Sequence, residues 1–162
     1  MINVYLLLGS NLGNRLTYLE EAARHINKEA GNIVKQSAVF ETQSWGNTEV
    51  PDYLNQVLLL QTLLLPHELL RKLLQIELLL GRERLEKWGA RTLDIDILFY
   101  GSDIINDADL VVPHPHLHNR RFTLVPLAEL APNLVHPVLN KTISLLKNEL
   151  NDDLQVKKYI FE

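Results

Sequence analysis

Asp94 and Asp96 alternate with Leu93, Ile95 and Ile97 in the run Arg91-Thr92-Leu93-Asp94-Ile95-Asp96-Ile97-Leu98. On a strand, residues two apart share a face, with Cα atoms about 6.5–7 Å apart. The three aliphatics therefore turn into a core while both carboxylates emerge together on the other side. Two like charges so placed repel unless a cation lies between them. Hard oxygen donors with room for water suit Mg²⁺, which usually takes one or two carboxylates together with substrate phosphates. A lone Asp-x-Asp reads equally well as the solvated face of an amphipathic strand. Its neighbours shift that balance. Arg82, Arg84, Lys87 and Arg91 stand just before the strand, and Trp88 lies among them. Guanidinium groups grip phosphate oxygens in pairs, and phosphoryl transfer consists largely of positioning and charge neutralisation. An aromatic ring beside cations offers a stacking plate for a planar heterocycle.

Three further stretches bear chemistry. His114-Pro115-His116-Leu117-His118 invites a zinc reading, but Pro115, the close spacing and the absence of cysteine make a closed tetrahedral site awkward. His114 reads better as a hydrogen-bond donor to a nucleotide, with Arg120 and Arg121 nearby, and His116 and His118 as surface residues. Gly9-Ser10-Asn11-Leu12-Gly13 follows a strand and opens a helix, as a phosphate loop does. It lacks the Gly-Lys-Ser/Thr ending and the three-glycine dinucleotide pattern, so it reads as a tight turn exposing backbone to a ligand. Tyr53 and Asn55 share a strand face and pair an aromatic with an amide.

The elements that must position these groups follow from periodicity. Residues 2–8 are nearly all apolar, as in a strand covered on both faces. Leu16, Leu19, Ala23 and Ile26 give a helix ending near Gly31. Residues 33–41 are β-like, 42–52 a loop, and 53–64 a long strand. Pro66 opens a second helix with the stripe Leu69, Leu73, Ile76 and Leu80, stopped at Gly81. A charged loop over 82–90 leads to a strand over 93–100. Residues 114–121 are too proline-broken for a long helix, 125–130 form a turn of helix and 143–150 a short one, and 154–161 return as an edge strand. The order β-α-β-β-α-β predicts an α+β ferredoxin-like sandwich, a mainly antiparallel sheet flanked by helices, in one domain over 1–162.

Composition bounds the rest. The chain has 162 residues, 46% hydrophobic and 22% charged, with no cysteine and a net charge of -4. Those values fit a soluble globular domain and count against broad nucleic-acid binding. No apolar run approaches the ~20 residues needed to span a bilayer. Without a basic leader at the start, the cytoplasm is the expected compartment.

Taken in order, these residues resemble the 6-hydroxymethyl-7,8-dihydropterin pyrophosphokinase family of folate biosynthesis. The likeness runs through Gly9-Ser10-Asn11-Leu12-Gly13, Phe40-Glu41-Thr42, Pro51-Asp52-Tyr53-Leu54-Asn55, Gly81-Arg82-Glu83-Arg84 and Pro113-His114-Pro115 to Asn119-Arg120-Arg121-Phe122. The run from Trp88 to Leu98 is its most specific part. The resemblance implies a monomeric enzyme that transfers pyrophosphate from ATP to the hydroxymethyl oxygen of the dihydropterin and releases AMP. It implies that Asp94 and Asp96 hold two Mg²⁺ ions, that Arg82 and Arg91 stabilise the migrating group, and that Arg84 stands on a mobile loop. Nucleotide contacts carry over to Leu70, Glu77, Ile97, His114 and Arg120, with Arg84, Trp88 and Arg91. Pterin contacts carry over to Gly9, Thr42, Trp45, Tyr53, Asn55, Trp88 and Phe122. The loops at 42–52 and 82–92 are expected to close over both substrates. Where the family often has prolines, this chain has Gln43-Ser44-Trp45, which implies a less stiff lid; the proline common before Arg91 is Ala90. On the residues alone two rivals stand: a nucleotidyltransferase using the same aspartates, and a ferredoxin-like module that binds a small ligand or RNA without Mg²⁺.

Overall fold

The computed structural model describes residues 1–42, 52–81, 92–151 and 154–160. Strand β1 (Ile2–Ser10) lies between β4 (Tyr53–Thr62) and β5 (Asp94–Tyr100), antiparallel to both. Its apolar run from Val4 to Leu8 follows from that central place, since both of its faces are covered. The other side of β4 is taken by two short strands in succession, β2 (Asn32–Gln36) and β3 (Phe40–Thr42). Strand β8 (Val156–Lys158) closes the edge beyond β3. Among the described residues every pairing in this sheet is antiparallel.

The stretch expected as one strand over 33–41 is broken at residues 37–39, and side chains repair the gap. Ser37 N–H donates to the Val57 carbonyl at 2.9 Å, while the Ser37 hydroxyl accepts the Val57 N–H at 2.9 Å. The Glu129 carboxylate accepts the Ala38 N–H at 2.8 Å. No ladder group is stranded in these contacts, so the interruption costs little.

Helices cover both faces. On one side lie α1 (Arg15–Glu29) and α2 (Pro66–Leu79), packed on Leu6, Leu8, Leu58, Leu60, Ile95 and Ile97. Asn14 caps α1 by accepting the Thr17 N–H, and the Glu68 carboxylate accepts the Leu65 N–H at the start of α2. Gly81, at φ +87°, ends the second helix in a conformation glycine adopts without a Cβ penalty. On the other side α3 (Arg121–Leu130) and α4 (Ile143–Glu149) cover Leu7, Val57, Leu98 and Phe99. Helix α3 starts four residues before the expected turn of helix and carries Pro126 inside it. The 3₁₀ turn Leu117–Asn119 precedes it, in keeping with a proline-broken stretch. His118, expected at the surface, is half-buried, its ring edge-on to His136 at 6.2 Å. A small hairpin, β6 (Ile105–Asn106) with β7 (Val111–Val112), follows β5.

Candidate active site

Asp94 and Asp96 start β5 on the face that carries α3, while Leu93, Ile95 and Ile97 are buried against α1 and α2. The alternation expected from the sequence holds. Glu77, buried near the end of α2, accepts the Ile95 N–H at 2.8 Å, so a helix side chain pins the backbone between the two aspartates. At about 6.5–7 Å and an effective dielectric of about 20, two such carboxylates repel by roughly 2–3 kcal/mol. Arg120 lines the same cavity as the two aspartates.

The sheet registers turn this strand end into a floor. Gly9 pairs with Asp94 on one side and with Asn55 on the other. Asp94, Gly9 and Asn55 therefore form one row across three strands, with the outer two about 9–10 Å apart. The row beside it runs from Asp96 through Leu7 to Val57. Gly9 has no side chain to fill the middle of its row. A Cβ there would come within 2.9 Å of the Asn55 amide nitrogen.

Above this floor lies a cavity of about 360 Å³. Thr42 and Tyr53, paired with each other across β3 and β4, form one wall. Arg120 and Phe122, at the start of α3, form another, with the guanidinium 5.5 Å from the ring centroid. Leu154 closes the rim. The Asn55 amide is oriented by donating to the Leu8 carbonyl at 3.3 Å, which leaves its Oδ1 aimed elsewhere. That Oδ1 and the Thr42 hydroxyl are buried and, among the described residues, have no hydrogen-bond partner. Each such group costs about 1–3 kcal/mol when left unmade. Both residues line the cavity, so an occupant that reaches these atoms gains by bringing hydrogen-bonding groups.

The structure thus brings Gly9, Thr42, Tyr53, Asn55 and Phe122 together with Asp94, Asp96 and Arg120. It does not bring Leu70, Glu77 or Ile97 to this cavity. Ile97 and Leu70 belong to the core under α1 and α2, and Glu77 is spent on Ile95. His114 stands at the open edge of β5, where its N–H donates to the Leu98 carbonyl. Burial, with Arg120 and His116 adding to it, holds His114 down to about 4, so its ring is neutral at pH 7. Its Nδ1 accepts the His116 N–H at 3.2 Å, placing the proton on Nε2. His114 then carries an Nε2–H, the kind of group that donation to a nucleotide would need. Trp45, Arg82, Arg84, Trp88 and Arg91 lie outside the described residues. Two lining residues were missed: Leu7 shares a strand face with Gly9 and could have been found, whereas Leu154 gave no signal.

The family model described as 7,8-dihydro-6-hydroxymethylpterin-pyrophosphokinase matches residues 5–132. The chain is 43% identical over 149 residues to the 2-amino-4-hydroxy-6-hydroxymethyldihydropteridine pyrophosphokinase of Aquifex aeolicus, covering 92% of each chain. It is 40% identical over 158 residues to the protein of the same name from Haemophilus influenzae, covering 97% of this chain and 98% of that one. In shape it is similar to Plasmodium falciparum HPPK-DHPS in a crystal structure with SDX-DHP, with a TM-score of 0.71 at 18% identity. That likeness covers 92% of this chain but 43% of the longer one, and it speaks for the fold.

Proposed function

Because the chain belongs to the 7,8-dihydro-6-hydroxymethylpterin-pyrophosphokinase family, we propose that the cavity over Gly9 receives the pterin and that Asp94 and Asp96 receive the metal-bound phosphates of ATP. The enzyme transfers a pyrophosphoryl group from ATP to hydroxymethyldihydropterin in folate synthesis. The hydroxymethyl oxygen forms a bond to the β-phosphorus, the bond from that phosphorus to the α–β bridging oxygen breaks, AMP departs, and the hydroxyl proton is lost.

The observation that carries the placement is the row Asp94–Gly9–Asn55. It sets a hydrogen-bonding amide and a carboxylate on opposite sides of an open floor. Asn55 Oδ1 and the Thr42 hydroxyl accept from the amino and ring N–H groups of the pterin. Tyr53 and Phe122 flank its faces. The hydroxymethyl group is left pointing toward the aspartates. Arg120 neutralises phosphate charge at the cavity wall. His114 donates from Nε2 to the nucleotide, and Arg82, Arg84, Trp88 and Arg91 complete the phosphate and ring contacts.

Asp94 and Asp96 suit Mg²⁺: paired hard-oxygen donors, half-buried on one face, at the rim of a cavity with room for phosphates and water. When bound there, two Mg²⁺ ions would offset triphosphate charge and lower the pKa of the attacking hydroxyl. The chain is further proposed to act as one domain, since both core clusters share the same sheet, and as a cytoplasmic monomer. Among the described residues no helix is long and apolar enough to cross a membrane.

The test is product analysis with MgATP and 6-hydroxymethyl-7,8-dihydropterin. AMP should form with the wild-type chain. Asp94→Ala and Asp96→Ala should each lose turnover by about a hundredfold or more, as expected when a transition-state charge contact is removed, with unchanged circular dichroism. Pyrophosphate in place of AMP would mean nucleotidyl transfer instead, and near-normal turnover in either variant would mean the metals lie elsewhere.

A further inference from the structure

His67, Asp107 and Asp109 come from two elements separated by forty positions and converge on one point. His67 is in the first turn of α2, while the two aspartates flank Ala108 in the turn of the β6–β7 hairpin. His67 Nε2 is 3.0 Å from Asp107 Oδ2 and 3.5 Å from Asp109 Oδ1. One ligand atom from each of the three lies within 4.8 Å of the others. The place is remote from the cavity. Strand β5 runs from Asp94 to Tyr100 before the hairpin begins, roughly 20 Å of extended chain.

We propose that His67, Asp107 and Asp109 form a second divalent-cation site, of the zinc class, which clamps the hairpin to the start of α2. Three observations carry it. In a tetrahedral zinc site with bonds of about 2.0–2.1 Å, neighbouring donor atoms stand about 3.3 Å apart. The two distances to His67 fall on either side of that value, so small side-chain rotations complete the set. The donors are an imidazole nitrogen and two carboxylate oxygens, a mixture that suits zinc, nickel or copper better than magnesium, which prefers oxygen alone. Finally, the turn is closed by a backbone hydrogen bond and its charge is one-sided. Asp107 N–H donates to the Leu110 carbonyl at 2.9 Å, and residues 101–110 contain three aspartates with no lysine or arginine. Both aspartates are exposed, which leaves water to fill the remaining position.

A protonated His67 bridging two carboxylates by charge alone would give the same contacts, and metal affinity separates the two. Zn²⁺ is titrated calorimetrically into an Asp94→Ala/Asp96→Ala chain, so that the aspartate pair does not compete. One saturable equivalent is expected, weakened at least tenfold by adding His67→Ala and likewise by Asp107→Asn/Asp109→Asn. In the same Asp94→Ala/Asp96→Ala background, Zn²⁺ should raise the melting temperature and His67→Ala should abolish that rise, while His67→Ala in the wild-type chain should leave pyrophosphoryl transfer with MgATP unchanged. Co²⁺ bound at the site should show the visible absorption of a tetrahedral or five-coordinate ion, lost with His67. Equal zinc affinity with and without His67, or no saturable binding, overturns the site.

Discussion

Gly9 shows how a single missing side chain leaves room for a neighbouring amide. Its φ is not in the left-handed region, so its role is spatial: the Asn55 amide passes over it. Gly9→Ala would place a Cβ 2.9 Å from the Asn55 Nδ2 and push that flexible amide away from the place proposed for the pterin. The hydrogen bond at stake amounts to about 1.4 kcal/mol, or tenfold in affinity. Steady-state kinetics should show the KM for the pterin rising about tenfold, with the KM for ATP little changed; equal effects on both would instead point to a general disturbance of β1. His114 gives a second residue-scale outcome. Its folded value of about 4 lies below the ordinary 6.5, so between those values the unfolded chain binds the extra proton. The stability tied to its neutral form is therefore complete above pH 6.5 and falls as the pH drops toward 4. An NMR titration of the ring should find a midpoint near 4, and His114→Asn should flatten the acid limb of the stability curve.

At the scale of elements, Gly31 joins α1 to β2 with its Cα pressed against β4. An added Cβ would meet the Gln61 carbonyl oxygen at 2.3 Å. That neighbour is backbone and cannot swing aside, so Gly31→Ala should destabilise the fold by about 1–3 kcal/mol in urea unfolding, with no specific effect on either KM. The sequence showed a helix end at this glycine but not the strand it touches. The same division holds elsewhere. Strand β5 and helices α1 and α2 were legible because their apolar residues repeat with one clear period, and β1 and β4 because each holds a near-continuous apolar run. The break after β2 was not, since it is sustained by Ser37 and Glu129, whose roles depend on partners 20 and 91 positions away. Helix α3 begins at Arg121, four residues before the expected turn of helix over 125–130, and carries Pro126 inside it; a proline at a helix-interior position gives no signal for the turn before it. The aspartate pair was legible as a shared face. Its registry with Gly9 and Asn55 was not, because register is decided between strands and not along one.

Across the whole molecule, the sheet serves both as partition and as floor. One face is committed to the core under α1 and α2, and the other is divided between a second core and the cavity. The cavity and the core thus share the same three strands, and the cavity floor cannot loosen without cost to the core. The outermost pairing is of another kind. Strand β8 contributes three residues to the edge of β3, and Leu154, just before it, reaches the cavity rim. Chain removed after residue 151 would leave Phe40–Thr42 with unpaired amides and carbonyls along an open edge. Such an edge is a template for another chain. A truncated protein should keep most of its helix signal yet scatter light increasingly with concentration, while the full chain stays clear. The closing strand would then act as a guard against aggregation, with solubility in a crowded cell resting in part on three residues that also back the cavity wall at Thr42.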